Sequence, residues 1–141
     1  MSDLPSALDD NLGFHIRLAH GAVYRHFNGT FGTIGLTQKQ TSVLWLINDN
    51  PGIAQVDIAQ RLQIDKATMM AIINSLARKG YLERGSFSAD RRRQTLHLTP
   101  PGATALTQAL AAVAEHEAWL KARFTAREVE QLMGLLRRIH G

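Results

Sequence analysis

The stretch DKATMMAIINSLARK, residues 65–79, predicts the helix around which the rest of the fold is organised. Its apolar residues recur every three or four positions, which is the spacing of one face of an α-helix. Asp65 is a typical N-cap, and Gly80 is typical of the residue just after a helix. The opposite face carries small and polar side chains, so it can approach another molecule closely. The positions expected to face the core are Met69, Ile72, Ile73 and Leu76.

A hairpin is predicted immediately after this helix. Residues 81–84 and 95–98 alternate in polarity, which indicates two antiparallel strands whose Leu82, Leu96 and Leu98 point inward. The tip between them carries the run Asp90-Arg91-Arg92-Arg93. A helix with a small, polar outer face beside an arginine-tipped hairpin suits a DNA duplex, with the helix in the major groove and the arginines in the minor groove.

The positive charge of the chain is concentrated in the same region. Between residues 78 and 93, six basic residues stand against two acidic ones, and this surplus equals the net charge of +4 of the whole chain. A focused cationic patch favours a polyanionic partner, although a solvated basic loop would have the same composition.

Length and composition indicate one globular domain. The 141 residues are 45% hydrophobic and 20% charged, which is enough to bury a core. No apolar run approaches the ~18 residues of a membrane span, and the acidic N-terminus is unlike a secretory signal. We therefore expect a cytoplasmic protein without a membrane partner. The lack of cysteine excludes disulfides, thiolate metal sites and thiol redox sensing.

Helices are predicted on both sides of this central segment. The first runs from Asp9 to Phe27 and is followed by a glycine-punctuated loop from Asn28 to Gly35. The second opens at Thr37, with Gln40 at the spacing of a capping box, and buries Leu36, Val43, Leu44 and Ile47.

Three further helices complete the prediction, in which the helix at residues 65–79 is the fourth. The third spans Gln55–Leu62. Thr99-Pro100 begins the fifth, which runs to about Phe124. Thr125 and Glu128 form another capping box at the start of the sixth, whose apolar stripe is Val129, Leu132, Met133, Leu136 and Ile139.

Five blocks of this sequence, at matching spacings, resemble the multiple-antibiotic-resistance regulator (MarR) family of bacterial transcription factors. The blocks are LTQKQTSVL (36–44), NPGIAQVDIAQRL (50–62), GYLER (80–84), DRR (90–92) and LTPPG (98–102). The expected fold is mainly α with a small two-stranded β-wing. It is a winged helix-turn-helix with dimerisation helices at both ends of the chain.

The resemblance implies one MarR-like domain over residues 1–141, in which 36–99 form the DNA-binding lobe. Segments 9–35 and 100–141 would supply the dimerisation helices and linker. It also implies a homodimer on a pseudopalindromic operator, most often a repressor that a small organic ligand, aromatic or phenolic, releases. Pairing the long terminal helices of two subunits would set two recognition helices about 34 Å apart, one DNA turn.

By analogy with the family, the first turn and outer face of the fourth helix contact DNA. Asn74 could pair with adenine, and Ala67 or Met70 could contact a thymine methyl group. Lys66 and Arg78 are expected on phosphates. Two of these positions have a plainer alternative, because the Thr68 hydroxyl could bond to backbone at the helix start and Met70 could be a loosely buried core residue.

The wing and two helix starts complete the expected DNA contacts. Asp90 and Arg92 match the family's Asp-x-Arg pattern, with Arg92 in the minor groove and Asp90 orienting an arginine. Arg91 and Arg93 would add backbone contacts. Thr37 and Gln55 could offer N–H groups to phosphates, although both could simply open helices. Ala54 departs from the family pattern, since a Ser or Thr commonly caps the third helix there.

A ligand cleft is expected near His15, His20 and Trp45, although dimer packing explains Trp45 almost as well. Histidine spacing does not favour metal, because His15 and His20 are about 140° apart on a helix and the chain lacks Cys. We predict no metal or other cofactor, while an intersubunit site that uses His116 stays open.

No constellation of nucleophile, base and acid occurs in a recognisable frame, so an enzyme is not expected. Two other hypotheses remain beside the ligand-responsive regulator. One is an architectural DNA-binding protein that senses no ligand, and the other is a protein-interaction module that uses the basic wing.

Overall fold

The computed structural model describes residues 4–87 and 93–141, with only the backbone of Phe87. A short 3-10 helix, Ala7–Asp10, precedes the first α-helix. The helices and strands that follow are α1 (Leu12–Phe31), α2 (Gln38–Asp49), α3 (Gln55–Leu62), α4 (Lys66–Arg78), β1 (Leu82–Phe87), β2 (Gln94–Leu98), α5 (Pro100–Lys121) and α6 (Ala126–His140). The mainly helical fold with a two-stranded wing is confirmed.

The capping residues predicted from the sequence form the expected hydrogen bonds. Both capping boxes, Thr37 with Gln40 and Thr125 with Glu128, are complete. Asp65 caps α4, since its Oδ1 accepts from the N–H of Thr68 at 2.8 Å. Gly80 has φ of +76°, which is the left-handed conformation that favours glycine after a helix.

The first helix differs from its prediction at both ends. Residues 7–10 form the 3-10 turn, and α1 begins after Asn11, whose side chain accepts from the N–H of Phe14. The helix then continues through Asn28 and Gly29 to Phe31, so the predicted start of the loop at Asn28 was wrong, while the loop itself begins after Phe31. The rings of Phe27 and Phe31 stack at 3.9 Å and are buried. Burying such a ring contributes about 1.5–3 kcal/mol, which outweighs the roughly 1 kcal/mol that a helical glycine costs.

The wing is a two-stranded antiparallel sheet in which Leu82 pairs with Leu98 and Arg84 with Leu96. Leu82 and Leu96 are buried, as predicted. Leu98, the last residue of β2, was also predicted to point inward but is only half-buried. The segment before α3 joins the other edge of β2, where the N–H of Leu96 donates to Ile53.

The start of α5 packs directly on the chain that precedes β1. Thr99 caps the helix by accepting from the N–H of Gly102 at 3.1 Å. A Cβ at Gly102 would lie 1.8 Å from the carbonyl oxygen of Tyr81, so this close approach requires glycine. The helix ends at Lys121, a few residues before the predicted Phe124.

The chain divides into two compact units. The central unit is Thr33–Ala112, and the terminal unit comprises the residues before Thr33 together with Val113–Gly141. The core of the central unit includes fully buried Val43, Leu44, Ile58, Met69, Ile73 and Leu76, whereas Ile72 is half-buried. In the described ranges, no helix is long and apolar enough to cross a bilayer. The predicted division into DNA-binding and dimerisation segments stays a prediction.

Candidate nucleic-acid interface

Half of the predicted DNA contacts, six of twelve residues, lie on α4. Burial of Met69, Ile73 and Leu76 on its inner face fixes which side of the helix faces outward. Asn74 and Thr68 are half-buried. The exposed members of the outer face are Lys66, Ala67, Met70 and Arg78.

The structure decides between the two interpretations given earlier for Met70 and for Thr68. Met70 is 47% exposed while the neighbouring Met69 is fully buried, so the loosely buried core role for Met70 was wrong. The Thr68 hydroxyl donates to Oδ2 of Asp65 at 2.6 Å, not to a backbone carbonyl. This hydrogen bond is the main cause that lowers the pKa of the Asp65 carboxyl, and the backbone N–H of Thr68 adds to it. Thr68 keeps its oxygen lone pairs for an incoming donor.

Arg84, which the sequence did not single out as a site residue, contacts α4. Its guanidinium donates from β1 to Oδ1 of Asn74. The sequence placed Arg84 in the cationic segment, but its position in a strand could not reveal which helix its side chain reaches.

Arg93 also bridges the wing to a helix. Its Nη1 lies 2.8 and 2.9 Å from the two carboxylate oxygens of Asp57 on α3. The predicted role of Arg93 at the DNA backbone stays a prediction. Asp90, Arg91 and Arg92 lie outside the described residues.

The two predicted helix-start contacts have different local environments. The Thr37 side chain accepts from the N–H of Gln40, so its hydroxyl oxygen takes part in the capping box. Gln55 is the first residue of α3, whose N-cap Ala54 makes no side-chain hydrogen bond. The missing cap agrees with the departure from the family pattern at Ala54.

A cavity of about 640 Å³ lies between α3, α4 and the wing strands. Met69 and Leu96 contribute apolar lining. The charges of Lys66 and Arg84 give this concave surface a positive potential that attracts anions such as phosphate, whereas the charge of Arg93 is paired with Asp57. The polar lining consists of Gln55, Lys66, Arg84, Arg93 and Gln94.

The predicted ligand residues belong to different units. His15 and His20 are exposed on α1, where His15 Nε2 lies 2.6 Å from the carbonyl oxygen of Asp9 and His20 stacks on Tyr24. Trp45 is 40% exposed on α2 of the central unit. A shared cleft lined by these residues stays a prediction.

A histidine pair in the terminal unit was not predicted. Nδ1 of His26 lies 2.8 Å from Nδ1 of His116, and the His26 ring stacks on Trp119 at 3.8 Å. Arg123 lies over Trp119 at 4.0 Å. Burial lowers the pKa of His116, and the nearby charge of His26 lowers it further. The two histidines are 90 positions apart, so spacing could not have paired them. Among residues 4–87 and 93–141, no group of three or more potential metal ligands occurs.

Comparison with known proteins identifies the fold that carries this interface. A family model described as "MarR family" matches residues 34–93. A putative transcriptional regulatory protein for the hcr operon of Thauera aromatica is 36% identical over 92% of this chain and 78% of that protein. The transcriptional repressor CouR bound to a 23-mer DNA duplex is similar with a TM-score of 0.91 and 31% identity, over 99% of this chain and 100% of that one. CouR bound to p-coumaroyl-CoA gives a TM-score of 0.87 and 28% identity, over 99% and 98% of the two chains. The chain therefore belongs to the MarR family of DNA-binding transcriptional regulators.

Proposed function

We propose that the protein is a repressor that binds a pseudopalindromic operator as a homodimer and is released by a small organic ligand. The observation that carries this proposal is the exposed outer face of α4 beside a wing strand that carries Arg84. MarR proteins function as dimers. The similarity to DNA-bound CouR over nearly the whole chain supports the same use of this fold. A regulator of this kind works in the cytoplasm, where its DNA is.

The α4 residues divide by their chemistry into those that contact bases and those that contact phosphates. Asn74 can read a base edge by hydrogen bonds, and Met70 and Ala67 can contact a thymine methyl group. Lys66 and Arg78 bind phosphates, which gives affinity without sequence information. Thr68 accepts at the same surface, since its hydroxyl proton is donated to Asp65. The helix starts at Thr37 and Gln55 face the DNA backbone.

The wing supplies the remaining contacts. Arg92 enters the minor groove, Asp90 orients an arginine, and Arg91 and Arg93 contact phosphates. For Arg93 alone, the cationic cavity between α3, α4 and the wing supports a phosphate contact, because Arg93 lines it.

The terminal unit supplies the dimer surface. In the single chain, Leu132, Met133, Leu136 and Ile139 of α6 are exposed along one stripe, and Leu12 and Ile16 of α1 are exposed as well. An apolar stripe at helical spacing is stabilised by burial against another surface. A second copy of the chain is the partner that a palindromic operator requires.

The effector is an aromatic acid or its thioester. CouR bound to p-coumaroyl-CoA supports this class of ligand for a similar chain. His15 and His20 can polarise an anionic or phenolic group, and Trp45 can stack on an aromatic ring.

Footprinting on DNA selected from a random duplex library tests the proposal. We expect protection of an inverted repeat with half-sites centred about one helical turn apart, since a twofold dimer presents two recognition helices. Diffuse protection would favour an architectural protein, and no protection would favour a protein-interaction module.

The effector is tested by thermal-shift screening of aromatic carboxylates and aromatic acyl thioesters. A compound that raises the melting temperature and releases the selected DNA supports the ligand-responsive mechanism. If none does both, the ligand part of the proposal is wrong for this class of compounds.

A further inference from the structure

The contact between Arg84 and Asn74 defines the orientation of an amide on the recognition helix. A guanidinium has only donors, so the amide atom that faces it must be the oxygen. Asn74 therefore turns Oδ1 toward β1, at 2.5 Å from Nη2 of Arg84. If the amide were rotated by 180°, its NH2 group would meet the cation and the hydrogen bond would be lost.

Both residues sit on well-anchored backbone. Asn74 lies on α4 between Ile73 and Leu76, which are fully buried. Arg84 pairs with Leu96 across the sheet, and Leu96 is 1% exposed and hydrogen-bonded to Ile53. The contact therefore joins two elements that are anchored by buried neighbours, and it orients the Asn74 amide in the absence of DNA.

This orientation leaves Asn74 ready for one kind of base contact. An amide oxygen has two lone pairs, so Oδ1 can accept from Arg84 and from a base, while Nδ2 still donates. A bidentate pair with adenine needs both an acceptor for N6–H and a donor to N7 in a fixed arrangement. Holding the amide in one of its two rotations supplies this arrangement in advance.

We infer that Arg84 is a positioning residue for sequence recognition, which orients Asn74 for a base edge that Arg84 itself does not touch. The inference rests on the proposed function and deepens it, because it connects the wing to a base read by α4. The base preference at one position of each half-site then depends on a strand residue. A second contact, Arg93 to Asp57, joins the wing to α3 and leaves Asn74 untouched.

A double-mutant cycle tests the inference with the full-length protein. Arg84→Ala, Asn74→Ala and the double variant are each used to select duplexes from a random library, and the base preference is measured at every position. If Arg84 acts through Asn74, both single variants lose the preference at the same position. A good bidentate contact gives roughly 5- to 150-fold discrimination, so this is the expected loss. The double variant then loses no more than Asn74→Ala alone.

Two further variants provide controls. Arg84→Lys retains a donor to Oδ1, so it is expected to keep much of the preference that Arg84→Ala loses. Arg78→Ala, on the same helix, is expected to weaken binding to all sequences alike and to reduce the dependence of affinity on salt. Thermal melting of every variant checks that the fold is intact.

Two outcomes would contradict the positioning role of Arg84. If Arg84→Ala behaves as Arg78→Ala does and its effect adds to that of Asn74→Ala, Arg84 binds phosphate directly and the inference is wrong. If the unaltered protein selects no sequence at all, the proposed function fails and the inference fails with it. If the unaltered protein selects a half-site but the effects of Arg84→Ala and Asn74→Ala add in the double variant, only the positioning role of Arg84 is wrong and the proposed function stands.

Discussion

The central and terminal units differ in where their hydrophobic side chains lie. In the described part of the central unit, the exposed large hydrophobic residues are Trp45, Val56 and Met70. In the terminal unit, such residues continue along the 3-10 helix, α1 and α6. Among the described residues, the terminal unit buries only two hydrophobic side chains, Phe27 and Phe31.

This difference shows that the two units are completed in different ways. The central unit closes its core within one chain, which suits a rigid surface that must hold side chains in register with base edges. The terminal unit leaves its apolar stripe open, so its stability depends on another surface. We therefore expect the packing of the central unit to be independent of protein concentration and the stability of the terminal unit to be coupled to dimerisation.

The largest expected effect comes from placing a charge in the open stripe of the terminal unit. Leu136→Glu would bury an unpaired carboxylate in each half of a symmetric interface, which weakens dimerisation by about 3–5 kcal/mol per charge. Sedimentation measures the shift from dimer to monomer. Gln131→Glu, on the polar side of α6, is the matched control and should stay dimeric. Equal dimerisation of both variants would contradict the difference between the units.

The next effect is expected in the core of the central unit. Leu44 is fully buried, so Leu44→Ala should lower the free energy of unfolding by about 2–5 kcal/mol through lost burial and a cavity. Leu135→Ala, at a residue 52% exposed in the single chain, is the comparison. Chemical denaturation at several protein concentrations should show a loss in Leu44→Ala that is independent of concentration. A loss that grew with dilution would contradict a core closed within one chain.

A smaller effect is expected from the basic wing. If Arg92 enters the minor groove, Arg92→Ala should weaken operator binding by ~1–3 kcal/mol without changing the fold. Fluorescence anisotropy at physiological salt measures the change. Arg127→Ala, on α6 of the terminal unit, removes the same charge and should leave DNA affinity nearly unaltered. Unchanged affinity in Arg92→Ala would remove this arginine from the mechanism.

The smallest effect is a dependence of stability on pH that differs between the units. Burial and the charge of His26 lower the pKa of His116 in the folded chain below its ordinary value of 6.5. The unfolded chain then binds more protons, so stability is complete above about pH 6.5 and declines as the pH falls through the lowered value. For Asp65, whose pKa is lowered from 3.8, the corresponding loss begins only near that pH.

Thermal melting between neutral and mildly acidic pH compares the unaltered protein with His116→Phe. The part of the decline below pH 6.5 that belongs to His116 should disappear in the variant. Asp65→Asn is the control, because it should leave this pH range unchanged. An identical decline in the unaltered protein and His116→Phe would contradict the assignment.

Much of the fold could be predicted because its signals are local. The capping boxes at Thr37 and Thr125 and the N-caps Asp65 and Thr99 act within four residues of the chain, so the sequence shows both partners at once. The periodicity identified the buried face of α4 correctly at Met69, Ile73 and Leu76, whereas Ile72 is only half-buried. The MarR resemblance, the winged fold and the role as a DNA-binding regulator and not an enzyme are confirmed. The individual DNA and ligand contacts stay predictions.

By itself, then, the sequence determined the order of the α-helices, the caps of α2, α4, α5 and α6, and the basic character of the wing. Only the tertiary structure decided which side chains meet across the fold, such as Arg84 with Asn74, Arg93 with Asp57 and His26 with His116. It also decided that α1 continues past Gly29, because the burial of two phenylalanine rings outweighs a local glycine. The physical reason is distance along the chain, since periodicity and capping report interactions within a turn or two. Contacts between elements depend on how separate helices and strands pack together.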